Sequence, residues 1–180
     1  MPNHITNILK APKEVLDALT SKESSVDFET MLPRPTDVPN DGVHGGLESL
    51  AELICGQIEI PPRQDDILNQ LRLSNAVRDL KEGGVKKLSD AEFTVFVAML
   101  QSYRKHGAFY WHDWNIQNWG TKWNAYDTAV TDDGDIQFNS AWSTPIAVIE
   151  ELSKLYPEAI FRVKFADEDL GYNCGEYAYQ

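Results

Sequence analysis

The sequence predicts an α+β fold in which one antiparallel sheet carries helices on one of its faces. Three observations lead to this prediction. Alternating, strand-like segments occur near both ends of the chain, helical spacing of apolar residues fills much of the middle, and a strand–helix–strand order recurs at each end. Such units, joined by a hairpin, form an antiparallel sheet covered by helices.

The amino-terminal region predicts a strand, a helix and a second strand. Residues 4–9 place β-branched and apolar side chains between polar ones, which is typical of a strand. Pro12 suits the first turn of a helix, because its missing N–H would have no partner there. Residues 26–31 predict a second strand, which ends before a stretch with three prolines because proline cannot donate to a strand ladder.

A helical insertion is predicted at about 40–107. Ser89 and Glu92 have the spacing of a capping box at the start of its last helix, and Gly107 is expected to end that helix. Apolar residues at helical spacing occupy the earlier part of the insertion. They are Leu47, Leu50, Leu53, Ile54, Ile67, Leu68, Leu71, Val77 and Leu80.

The region after the insertion predicts a hairpin. Residues 124–131 alternate moderately, and residues 132–135 form a turn signal because Gly134 and its aspartate neighbours tolerate positive φ. Residues 136–142 return as a strand with one shared face. The residues on that face are Ile136, Phe138, Ser140 and Trp142.

A helix and two strands complete the chain. Thr144 and Pro145 suit the cap and the first position of a helix. Strand-like alternation follows at 159–165, and a last strand is predicted at 173–179, at the edge of the sheet.

This order of elements is that of a ferredoxin-like domain, which the sequence predicts as a single domain over residues 1–180. Two segments, 26–31 and 124–131, compete for the place of its second strand. The pattern of residues leaves that choice open.

Charge and composition exclude several classes of protein. The chain has 28 acidic and 16 basic residues, a net charge of −12, which by default repels nucleic acids and anionic membranes. Cys55 and Cys174 lack metal-type spacing and are expected to be free thiols. No apolar run is long enough to cross a bilayer. We therefore expect a soluble, cytoplasmic protein that does not bind nucleic acid directly.

The aromatic stretch from Trp111 to Trp142 is the part of the sequence that offers a candidate site. Four of the five tryptophans lie between Trp111 and Trp123. Aromatic clusters are more often core than site, so we expect these rings mainly to pack against the sheet. The alternative is a binding site for a base, a sugar or a peptide. Its residues would be Trp119, Lys122, Trp123, Asn124 and Asp127.

Motifs for catalysis or for a metal or cofactor are not found in the sequence. His106 and His112 lie six residues apart, which is not the spacing of a helical ligand pair. A phosphate-binding loop, a G-x-S-x-G elbow and an EF-hand pattern are all missing. The sequence therefore predicts no catalytic residue, no metal and no cofactor, which favours a non-enzymatic protein but leaves the question of an enzyme open.

Several segments resemble the YubB ferredoxin-like family, whose members occur on plasmids and bacteriophages. The resemblance is carried by residues 1–7, by the string 118–125 (NWGTKWNA), by 142–145 (WSTP), and by 167–169 with Asn173 and Gly175. It implies a ferredoxin-like fold and a mobile-element origin. It implies no catalytic residue, because the family has no activity that could be carried over.

Two functions follow as hypotheses. The first is a non-enzymatic protein-binding module whose acidic surface binds a host or phage protein, in its sharpest form a counter-defence protein that mimics DNA and occupies a basic, nucleic-acid-handling partner. The second is a small-ligand or nucleotide binder, or an enzyme, that uses Trp119–Asp127. A third, direct binding of RNA or DNA by the sheet, is disfavoured because the sequence shows no basic patch.

Overall fold

The computed structural model shows two compact units, which are described separately. The sheet unit comprises residues 1–34 and 115–180, and the helical unit comprises residues 35–114, which contain the predicted insertion. The structure describes residues 3–20, 25–43, 47–169 and 171–179. Met1 and Pro2, which open the first segment of the YubB resemblance, lie outside these ranges.

Five strands form one antiparallel sheet. They are β1 (His4–Lys10), β2 (Tyr126–Val130), β3 (Ile136–Ala141), β4 (Phe161–Asp167) and β5 (Cys174–Tyr179). Their order is β2-β3-β1-β4-β5, and every neighbouring pair is antiparallel. The first four strands have the ferredoxin-like order, and β5 extends the sheet beyond β4. The predicted fold class is confirmed.

Six α-helices accompany the sheet in the part of the chain that the structure describes. They are α1 (Lys13–Leu19), α2 (Leu47–Ile54), α3 (Ile67–Lys81), α4 (Asp90–His106), α5 (Trp111–Asn118) and α6 (Ile146–Leu155). Helices α1 and α6 contact each other and cover one face of the sheet. No helix among the described residues is both long enough and apolar enough to cross a membrane.

The core of the sheet unit lies between these two helices and the sheet. Alternate residues of β1 and β3 point into it, because successive strand side chains face opposite sides. Its largest fully buried side chains are Ile5, Leu9, Val15, Leu19, Phe28, Phe138, Val148, Ile149, Leu152, Phe161 and Val163. The opposite, open face of the sheet carries polar side chains such as Thr6, Gln137 and Asn139, which are only partly buried.

The segment 26–31 was predicted as a strand, and this prediction is wrong. Phe28–Thr30 form a 3₁₀ helix, and one isolated bridge joins Thr20 to Val26. The backbone N–H of Phe28 donates to Asn124 Oδ1 at 2.8 Å, so a side chain takes the place of a ladder partner. The second strand of the ferredoxin-like order is therefore β2.

The tryptophans contribute less to the core than the sequence predicts. Only Trp114 and Trp119 are buried, and of these two only Trp119 belongs to the sheet unit. Trp111 and Trp123 are partly buried, and Trp142 is 43% exposed. The core of the sheet unit instead consists mainly of aliphatic and phenylalanine side chains, which need no hydrogen-bond partner.

The helical unit has its own apolar core, and its last long helix begins and ends as predicted. Ser89 accepts from the N–H of Glu92 while the Glu92 carboxylate accepts from the N–H of Ser89, which is a capping box. Gly107 ends α4 with a φ of 75°. The buried core residues are Val43, Leu47, Leu50, Ala51, Phe96, Met99 and Phe109.

Helix α3 turns its polar side chains inward, which the apolar spacing did not predict. Its apolar residues Ile67, Leu68, Leu71, Val77 and Leu80 are between 38% and 78% exposed. The buried residues include polar ones that have partners within the unit. These are Asn69, which bonds the backbone of Glu59, and Asp79, which bonds Lys87.

Candidate binding site

Two of the five predicted site residues have partners within the sheet unit, where Trp119 is buried and Asn124 is partly buried. The Trp119 side chain is 2% exposed, its indole N–H donates to the Leu32 carbonyl at 2.9 Å, and its ring meets Phe28 edge-on. Asn124 accepts from Phe28 N and donates to Asp27 Oδ1 at 2.6 Å. Both side chains therefore contact the segment that contains the 3₁₀ helix and help to hold it in place.

Lys122 and Trp123 lie together at the surface with Trp142, which was not among the predicted site residues. The Lys122 ammonium is 5.0 Å from the centroid of the Trp123 ring and 5.3 Å from that of the Trp142 ring. Both distances are within the range of a cation–π contact. We call Trp123 and Trp142 the indole pair.

Trp142 is held at the surface by an uncommon backbone conformation. The sequence pattern predicted a strand over residues 136–142 that has Trp142 on the same face as Phe138. The strand instead ends at Ala141, and Trp142 has a φ of 70°, in the left-handed region. A bulky residue there is a steric outlier. The Trp142 N–H donates to the carbonyl of Asn3, the residue before strand β1, at 3.0 Å. This hydrogen bond stabilises the left-handed conformation.

Hydrogen bonds fix the turn that carries Lys122 against the end of β3. Thr121 Oγ1 donates to the Ala141 carbonyl at 2.7 Å and accepts from the Ala141 N–H at 3.0 Å. The Ser143 hydroxyl donates to the Gly120 carbonyl, and Asn115 donates to the Lys122 carbonyl at 2.9 Å. The backbone around the indole pair is thus fixed from both sides.

Tyr126 and His4 extend this surface onto the open face of the sheet. Tyr126 Oη and His4 Nδ1 are 2.6 Å apart, and the Tyr126 ring meets Trp123 edge-on with centroids 6.4 Å apart. Burial raises the pKa of Tyr126, and the carboxylates of Asp127 and Glu168 raise it further. Two negative charges therefore act on the surface formed by the indole pair, Tyr126 and His4, which we call the aromatic surface.

Asp127, the last predicted site residue, lies at an irregularity of β2. It is exposed, has a φ of 51°, and accepts from Asn139 Nδ2 at 3.2 Å. The register of β2 against β3 shifts between Tyr126 and Ala129, as at a β-bulge. The bulge places the Asp127 carboxylate beside the aromatic surface.

The lower part of the open face forms a shallow cavity of about 480 Å³. Lys10, Arg162 and Lys164 line it together with three carboxylates, and Arg162 lies 3.8 Å from Glu176. The opposing charges offset each other. The cavity therefore has no net sign that would favour either an anion or a cation.

His106 and His112, which the sequence raised as possible metal ligands, do not lie in a metal-binding cluster within the described ranges. No cluster of three or more His, Cys, Asp or Glu side chains that could hold a metal occurs among the described residues. His106 Nε2 lies 2.9 Å from Asp37, and His112 lies 3.5 Å from Asp113. Each of these histidines lies beside a surface carboxylate.

The site could be foreseen from the sequence only in part. Lys122 and Trp123 were nominated from the density of aromatic residues, whereas Trp142, Tyr126 and His4 were not. The available signal was the resemblance of residues 1–7 and 142–145 to one family, since Asn3 of the first segment and Trp142 of the second are hydrogen-bonded at this surface. No feature of the sequence predicted that the backbone of Trp142 would lie in the left-handed region.

Comparisons with known proteins add one result. Residues 118–180 match a family model described as a ferredoxin-like domain in Api92-like protein. The match covers about a third of the chain, including β2 to β5 and the whole indole pair. No curated protein and no solved structure gives a match. Residues 118–180 are therefore similar to a ferredoxin-like domain, in agreement with the observed sheet.

Proposed function

We propose that this chain is a non-enzymatic protein-binding module of the YubB type, carried by a bacteriophage or plasmid, which acts in the bacterial cytoplasm on a basic host or phage protein. The observation that carries the proposal is the indole pair. Tryptophan and tyrosine are enriched in protein interfaces, where a few such rings supply most of the binding energy. Here the backbone of Trp142 has an unfavourable conformation while its ring lies at the surface beside Lys122.

Charge supports a basic partner. The residues of the sheet unit include 16 acids and 8 bases, a net charge of −8, against −4 for the helical unit. A field of this sign speeds the approach of basic proteins and repels nucleic acid. A nucleic-acid-handling protein has the matching charge, so the sharpest form of the proposal is counter-defence by DNA mimicry.

The test is capture with the intact chain. Immobilised protein is incubated with bacterial lysate at low and at high salt, beside the variant Trp142→Asp. We expect a basic, nucleic-acid-handling protein to be retained at low salt, released at high salt because long-range attraction is screened, and weakened by the variant. Retention of no such protein at low salt would overturn the proposal.

A second candidate, a nucleotide-sized ligand, is favoured by one observation. The Lys122 ammonium has two indole neighbours and, among the described residues, no carboxylate within ion-pair distance. A base on an indole with its phosphate on Lys122 would use both groups. A nucleotide at 100 times its dissociation constant should raise the unfolding free energy by about 2.7 kcal/mol, which a thermal-shift screen detects. No shift with any nucleotide would remove this candidate.

A further inference from the structure

A positive charge already occupies the indole pair. Lys122 is only partly buried, and its ammonium lies near both rings while no described carboxylate pairs with it. In a unit with twice as many acids as bases, a surface lysine has ion-pair partners within easy reach. That Lys122 instead lies at the two indoles shows that this surface favours a cation.

We propose that the indole pair is the docking point for an arginine side chain of the basic partner, and that Lys122 occupies it until the partner displaces it. The proposal rests on the proposed function and specifies where and how the partner is held. A guanidinium is planar and weakly hydrated, so it stacks on indoles better than an ammonium does. The exchange therefore favours arginine.

The surroundings also favour an incoming cation. The carboxylates of Asp127 and Glu168 act on Tyr126, which contacts Trp123. The N–H of Glu168 donates to the His4 carbonyl at 3.1 Å, which fixes that carboxylate residue at the start of β1. A partner's guanidinium would meet two indoles and two nearby negative charges, whereas an anion would meet the same charges as a barrier.

The parts of the site differ in mobility in a way that suits an exchange. The rings belong to a backbone that is fixed by the bonds of Thr121, Asn115 and Trp142. The Lys122 side chain has a flexible four-carbon stem, and among the described residues its ammonium has contacts only with the two rings. Displacement returns the ammonium to water and leaves the rings in place, so the site is pre-organised for its ligand.

The experiment measures binding of a short oligo-arginine peptide to the full chain by tryptophan fluorescence and by the indole N–H signals in NMR. Lys122→Met removes the resident charge but keeps the stem. Lys154→Met is the matched control, because Lys154 is an exposed lysine on α6 in the same unit. We expect both to bind the peptide more tightly than the wild type, and Lys122→Met to bind about 2- to 5-fold more tightly than the control, the factor of an exposed cation–π contact.

Two further measurements make the result independent of folding defects. Trp142→Leu, checked for an unchanged circular dichroism spectrum, should weaken peptide binding by a similar factor. In the wild type, ring currents should shift the Lys122 side-chain signals, and the peptide should return them toward those of a solvated lysine.

The outcomes separate this inference from the proposed function. If Lys122→Met and Lys154→Met bind the peptide equally and Trp142→Leu is unaffected, the inference fails while a general acidic binding surface stands. If the peptide binds none of the variants, or if ATP rather than the peptide moves the indole signals, the inference fails as well. Capture of a basic protein from lysate judges the proposed function separately.

Discussion

At the scale of single residues, Trp142 shows how the chain exchanges stability for an exposed ring. Its φ of 70° brings the side chain close to the backbone carbonyl, a clash that costs about 1–2 kcal/mol for residues with a Cβ. The sequence could avoid this cost with Gly or Asn, which tolerate the left-handed region. The chain nevertheless has tryptophan at this position, with its side chain 43% exposed.

The first prediction tests that cost. We expect Trp142→Gly to be more stable than Trp142→Ala by about 1 kcal/mol, because glycine relieves the clash and neither variant has a ring. Trp142→Asn should lie between them. Urea denaturation of the three proteins gives the comparison. Equal stability of all three would show that the backbone at this position is unstrained.

Asp37 in the helical unit is a second residue of interest, because its contacts change its pKa. Its carboxylate accepts from Lys105 at 2.5 Å and lies 2.9 Å from His106 Nε2. The hydrogen bond from Lys105, followed by that of His106, lowers the pKa of Asp37 from 3.8 to about 2. Because the folded pKa lies below the unfolded one, this stabilisation is complete above pH 3.8 and is lost as the pH falls toward 2.

The second prediction follows from these contacts. An NMR titration of the Asp37 carboxyl should give a pKa near 2, and Lys105→Met should move the pKa of Asp37 back toward 3.8. Lys86→Met, which removes an exposed lysine elsewhere in the same unit, should leave it near 2. A wild-type value near 3.8 would mean that the two contacts do not persist in solution.

At the scale of elements, helix α2 buries Leu47 and Leu50 in the core of the helical unit, whereas helix α3 exposes several of its apolar side chains. Leu50 of α2 is 3% exposed and belongs to the core of the helical unit, whereas Leu71 of α3 is 55% exposed. Both residues stand at helical spacing in a run of similar apolar residues. Hydrophobic stabilisation follows the area removed from water, so the two leucines differ in their contribution to folding.

The third prediction compares them directly. Leu50→Ala should lower the free energy of unfolding by about 2–5 kcal/mol, because it removes buried methyl groups and leaves a cavity. Leu71→Ala should change it by less than about 0.5 kcal/mol. Chemical denaturation of the two matched variants measures both. A large loss for Leu71→Ala would mean that this side chain is buried in solution.

The elements also show what the sequence could and could not predict. The capping box at Ser89 and the β2–β3 hairpin were predictable because they depend on local residues. Residues 26–31 have strand-like alternation, yet the Asn124 side chain takes the N–H that a ladder would use. Apolar spacing placed α3 correctly but not its orientation, because the burial of Asp79 depends on Lys87, which lies beyond the helix. The site at Trp142 depends on a backbone turn for which no residue pattern exists.

At the scale of the whole molecule, the part that matches the family model is not a complete sheet. Residues 118–180 supply β2, β3, β4 and β5, but the central strand β1 comes from the amino terminus. Strand β1 pairs with β3 on one side and with β4 on the other. Without it, these two strands have no neighbour between them and their backbone groups lose their partners.

The fourth prediction is that residues 118–180 do not fold when expressed alone. We expect a fragment of these residues to show poor dispersion of its amide NMR signals and no cooperative thermal transition, because the core also loses α1 and Ile5. Addition of a peptide covering residues 1–34 should restore dispersed signals. A fragment that unfolds cooperatively by itself would show that β1 is dispensable.

The central position of β1 has a consequence for biosynthesis. Strand β1 is translated before the other four strands, and both of its neighbours are translated only after the whole helical unit. The nascent chain therefore carries an unpaired, half-apolar strand while residues 35–114, which form a compact unit of their own, are being translated. Pairing across so long a sequence separation is slow, so the sheet closes only after β4 has emerged.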